Sequence, residues 1–123
     1  MKKVLFSALF FLTLGLAAQA QLAQTKWKGP LQIPDHEDGW LSFKKDTLDV
    51  FIQNGDFLLE SMTYTIVRDT MFLKKISGQS QCDPNVAGSY KWSLKDNNLY
   101  ITPIKDDCDE RFRAWTSQPF IKQ

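Results

Sequence analysis

The chain is poor in the residues from which catalytic and metal centres are most often built: it has one histidine and two cysteines in 123 residues. A serine or cysteine nucleophile needs an adjacent base, and His36 sits instead among the carboxylates Asp35, Glu37 and Asp38. Those four residues suggest a cation site only weakly, because consecutive residues of a loop rarely all face one ion. Two thiolates alone fall short of the four ligands of a zinc site, and no carboxylate pair stands out as a glycosidase pair. Neither charge sign is in excess. There are 15 Lys and Arg, Lys2 and Lys3 among them, against 14 Asp and Glu, which gives no footprint for nucleic acid or anionic lipid. Beyond residue 20 the chain has no long apolar run, no repeat, no low-complexity tract and no interdomain linker. A membrane-spanning helix in that part and a second domain are thereby excluded.

What is present begins with the N-terminus. Lys2 and Lys3 precede an apolar stretch at 4–18, broken only by Ser7, Thr13 and Gly15, and Ala18-Gln19-Ala20 follows with small residues. That order describes a secretory leader cleaved after residue 20, which leaves residues 21–123 as one domain. No cysteine follows the apolar run, so a lipid anchor has no attachment point. In an exported chain the pair Cys82 and Cys108 reads as a disulfide, which on the chain-entropy estimate stabilises the fold by roughly 3 kcal/mol. The compartment is periplasmic or extracellular. Trp27, Trp40, Trp92 and Trp115 supply the large apolar surfaces that so small a domain needs.

Short strands separated by turns fill the rest. Strand patterns cover 27–33, 40–43, 47–53, 57–66, 70–76, 88–94 and 99–104, with a possible closing strand at 119–121. Residues 35–39 read as an acidic loop and 77–87 as a loop carrying Cys82. Asn54-Gly55 and the run Lys95-Asp96-Asn97-Asn98 are hairpin turns. A short helix is expected after Asp107, capped by it and reciprocally by Glu110, with Cys108, Arg111, Phe112 and Trp115 on one face. Asp106, Asp107, Asp109 and Glu110 are then explained as a charged helix start. Consecutive hairpins favour an all-β, antiparallel up-and-down barrel of seven or eight strands over a sandwich.

The early Trp27 and Gly29, the late Arg111, and the runs 59–64, 77–82, 88–92 and 106–111 resemble small exported bacterial proteins of lipocalin-like, or calycin, type. The resemblance implies a barrel in which Trp27 and Arg111 have structural roles, the guanidinium stacked on the indole.

Glu60 is the most informative polar residue. It shares parity with Leu58, Met62, Tyr64 and Ile66, so alternation turns its carboxylate inward, where it needs a partner. The candidate partner is Arg111, Lys74 or another cation, and a bulge that turns the side chain outward is the alternative. Glu60, Met62, Tyr64, Tyr90 and Trp92 are the candidate ligand-binding residues, although period-two aromatics also describe a filled core. The expected function is non-catalytic binding of a small apolar ligand, with no cofactor and no metal. The alternatives are a filled barrel that binds an envelope protein, and an enzyme that uses Glu60 as general acid or base.

Overall fold

The computed structural model describes residues 19–123. The leader expected at 1–20 therefore lies outside the described residues except for its last two. Eight antiparallel strands follow one another around a closed barrel: β1 (Thr25–Gln32), β2 (His36–Phe43), β3 (Thr47–Ile52), β4 (Phe57–Val67), β5 (Thr70–Gly78), β6 (Ala87–Lys95), β7 (Asn98–Lys105) and β8 (Phe120–Lys122). A short helix, α1 (Asp109–Ala114), interrupts the meander between β7 and β8. The last strand closes the ring, pairing Lys122 with Trp27 of β1 and Phe120 with Leu99 of β7. The fold is the up-and-down barrel expected from the run of hairpins. Among the described residues, no helix is long and apolar enough to cross a membrane.

Local chemistry explains most of the turns. Asp96 and Asn97 both take positive φ, 53° and 64°, which makes a two-residue hairpin turn between β6 and β7. Gln53, Asn54 and Gly55 do the same after β3, at 55°, 60° and 85°. The acidic loop is a correction. Only residues 33–35 turn the chain, while His36, Glu37 and Asp38 belong to β2 and pair with Gln32, Leu31 and Pro30. Strand alternation sends those side chains in different directions, and no group of three or more potential metal ligands occurs among the described residues. Within this pairing Gly29 and Gly39 face each other across β1 and β2. A Cβ at Gly29 would press on Phe120, and one at Gly39 on Leu31.

The antiparallel course gives the barrel two distinct ends. At one end lie the tight turns 44–46, 68–69 and 96–97, together with a helical turn at residues 19–22 whose Leu22 is fully buried. This is the closed end. The other end, the mouth, carries the turns 33–35 and 53–56, the loop 79–86 and α1. Leu41, Phe43, Leu48, Tyr64, Leu73, Leu99 and Ile101 fill the interior between them. Cys82 in the loop and Cys108 just before α1 form a disulfide, their Cα atoms 5.4 Å apart. It ties loop and helix together across the mouth and is compatible with an oxidising, exported location.

Candidate functional site

The mouth acquires its shape from an irregularity in β4. Along β3 and β4, Val50 pairs with Glu60 but Phe51 pairs with Leu58, so Leu59 is an extra residue. Such a bulge switches the parity of what precedes it. Leu58 is thereby 45 % exposed, whereas Leu59 packs against the core and Glu60 keeps its inward direction. A second register shift, after Ser61, faces β5. Here Gly78 lies opposite Glu60 with φ 140°, and a Cβ would collide with the Glu60 carboxylate and the Leu59 carbonyl. Glycine at 78 gives Glu60 its room.

The cation beside Glu60 is neither Arg111 nor Lys74 but a third one, Lys75. Ser80 Oγ donates to its Oε2, Lys75 Nζ stands 3.9 Å from its Oε1, and Lys75 also donates to the Ser80 carbonyl at 2.6 Å. Plain alternation along β5 is the reason, since Lys75 shares the parity of the buried Met71 and Leu73. Lys75 is opposite Met62 and leans inward, while Lys74 is opposite Thr63 and is exposed.

Arg111 is taken by Asp106. Its Nε donates to Asp106 Oδ2 at 2.5 Å and its Nη2 to Oδ1 at 2.9 Å, with a further bond from Nη2 to the Val86 carbonyl at 2.9 Å. The Tyr90 hydroxyl donates to the same carboxylate, as does the Cys108 N–H at 2.9 Å. Gly88 makes space, since a Cβ there would meet both the carboxylate and the Tyr90 ring. Burial alone would raise the Asp106 pKa, but the bonds from Arg111, Tyr90 and Cys108, together with the Arg111 charge, hold it below the usual carboxylate range. Burial likewise opposes the Arg111 charge, and Asp106 outweighs it, so the guanidinium is held more firmly protonated than usual. The Tyr90 hydroxyl is pushed above the usual phenol range, by burial first and then by its bond to Asp106.

Two expectations are corrected by this network. Arg111 does not stack on Trp27, which lies in β1 toward the closed end and donates to Thr25 Oγ1 at 2.8 Å. Among the described residues the cation–π contact that forms is Lys28 over Trp40. The helix cap also differs. Cys108 takes the N-cap position without a side-chain cap, and Glu110 instead accepts from the Gln81 N–H at 3.0 Å.

Between α1 and the barrel mouth lies a cavity of about 510 Å³. Its apolar wall comes from Leu31, Ile33, Val50, Leu59, Met62 and Trp115, and its polar lining includes Glu60, Ser80 and Arg111. Trp115 is set in place just beyond α1 by a bridge to Leu31. Of the candidate ligand-binding residues, Glu60 and Met62 line this cavity. The other three do not. Tyr64 donates to the Lys44 carbonyl at 2.6 Å and Trp92 to the Arg68 carbonyl at 3.1 Å, both at the closed end. Tyr90 stands behind Asp106, edge-on to Trp115 with ring centroids 5.8 Å apart. Leu31, Leu59, Ser80 and Trp115 were missed as cavity residues. Trp115 carried one signal, its helical phase with Arg111; the parity of Leu59 pointed outward until the bulge reversed it.

The fold and the site define a closed eight-stranded antiparallel barrel with a helix-covered cavity at one end. Comparison with protein-family models, with curated proteins and with solved structures gives no match.

Proposed function

We propose that this chain is an exported, lipocalin-like bacterial binding protein, working in the periplasm or outside the cell without catalysis, whose ligand is a small and largely apolar molecule held under α1. One observation carries the reading: the 510 Å³ mouth cavity is walled by apolar side chains and lined by a few buried polar ones. That volume falls within the roughly 300–1,000 Å³ usual for ligand sites, and the mixture of linings is typical of them. Glu60 is engaged by Ser80 and Lys75, partners that fix its carboxylate in one place. The disulfide at the start of α1 braces the wall that the ligand would touch.

Native mass spectrometry of the chain purified from its own host, without denaturation, tests this. A reproducible adduct is expected, and Ala114→Trp, which fills the cavity from the α1 side, should abolish it. A clean chain mass would overturn the carrier reading. It would favour the second one, a protein-binding module, for which the exposed Phe57, Leu58, Ile76 and Phe112 at the same end are the supporting observation.

A further inference from the structure

The cavity carries a polar pattern as well as a volume. Among the described residues, three buried side-chain atoms lack a hydrogen-bond partner within the chain: Glu60 Oε1, Arg111 Nη1 and Trp115 Nε1. All three residues line the cavity, and they are 8 %, 6 % and 7 % exposed. Buried polar groups are nearly always satisfied, so three unpaired ones at a single site point to a partner from outside the chain. Two of the three are donors and one is an acceptor.

The charges constrain that partner further. The Arg111 guanidinium already has the Asp106 carboxylate on its Nε and Nη2, and the Glu60 carboxylate has the Lys75 ammonium 3.9 Å away. Each buried cavity charge thus has its counter-ion, and the two exposed charges of the lining, Glu110 and Arg113, are of opposite sign. An anionic head would meet Glu60 and a cationic one Arg111, in a site too buried for water to screen either.

We infer that the ligand is amphipathic, with an uncharged head that bears both a carbonyl-type acceptor and an N–H or O–H donor, of which an aliphatic amide is the simplest form. The carbonyl accepts from Arg111 Nη1 and Trp115 Nε1, the N–H donates to Glu60 Oε1, and the alkyl body lies along Leu31, Val50, Leu59 and Met62. This rests on the binding reading above and adds the chemistry of the head.

The test uses three probes with the same eight-carbon chain, octanamide, octanoate and octylammonium, titrated at pH 7 into the full chain by calorimetry. Octanamide should bind at least about tenfold tighter than either ion and shift the Trp115 indole N–H resonance. Trp115→Phe should weaken octanamide about fivefold, the worth of one neutral hydrogen bond. Glu60→Gln, nearly isosteric, should narrow the gap between octanamide and octanoate by removing the like charge. An octanoate or octylammonium affinity equal to or above that of octanamide overturns the uncharged head and leaves the binding reading standing. Failure of every probe to bind, alongside a native adduct, also overturns the head and spares the binding reading. No binding by any probe together with no native adduct overturns both.

Discussion

The two ends of the barrel use the same residue types in opposite ways. At the closed end, Trp27, Tyr64 and Trp92 each bury an aromatic body and give the polar tip to an acceptor nearby: Thr25 Oγ1, the Lys44 carbonyl and the Arg68 carbonyl. At the mouth, Trp115 is equally buried, but its indole N–H has no partner in the chain, and an Arg and a Glu beside it each keep one atom unpaired. An aromatic whose tip is satisfied by its own turn is finished structure. One whose tip is left over in a cavity is open to a ligand. Burial and residue type alone do not distinguish Trp92 from Trp115; hydrogen-bond satisfaction does.

The largest test of this contrast is Asp106→Asn at the mouth. It strips the counter-ion from a buried arginine, and breaking such a pair costs about 3–5 kcal/mol, to be read as a fall in urea stability. The same pair sets an acid limb. Asp106 in the folded chain lies below its unfolded value of about 3.9. Its contribution is thus complete above that value and is lost as the pH falls through the folded one. Urea midpoints between pH 7 and pH 2 should show this limb in the native chain and a flatter one in the variant.

Packing gives the next contrast. Leu48→Ala at the closed end removes a fully buried side chain and should cost about 2–5 kcal/mol. Leu59→Ala borders the existing cavity and should cost less than about 1.5 kcal/mol, since its loss widens space already present. Equal losses in thermal unfolding would erase the distinction between a filled end and an open one.

Reduction of Cys82–Cys108 should lower stability by roughly 3 kcal/mol. Hydrogen exchange should quicken in residues 79–86 and 109–114 while the turns at 44–46 and 96–97 keep their protection. A uniform quickening would show that the disulfide does not brace the mouth in particular. The smallest effect is expected from Tyr64→Phe, about 1 kcal/mol for one hydrogen bond. Burial and the nearby Asp46 push the Tyr64 hydroxyl up to about 12. Its contribution is therefore present below the unfolded value of about 10 and is lost as the pH rises toward 12, and the phenylalanine variant should lack that part of the alkaline limb.

Strand and turn chemistry is local, and it is the part of the fold that could be read in advance. Period-two alternation marks β3, β4 and β6, positive-φ residues such as Asn54, Gly55, Asp96 and Asn97 mark their turns, and a series of hairpins points to an up-and-down barrel. The inward direction of Glu60 was legible for the same reason. Its partner Lys75 shares the parity of Met71 and Leu73 and so follows from the same alternation. The register shift that sets Gly78 opposite Glu60 depends instead on the pairing of β4 with β5.

The sequence by itself thus determined the all-β class, the order of the strands, most of the turns and the apolar face of each strand, since each depends on neighbours a few residues apart. Only the tertiary structure decided that Asp106 holds Arg111, that the bulge brings Leu59 inward, and that Trp115 joins Glu60 around a cavity. Asp106 and Arg111 are only five residues apart, but their pair depends on the packing of Tyr90 and Val86 against them. The other two relations join residues farther apart in the chain. Pairing register and barrel closure set them, and neither is encoded in any local stretch.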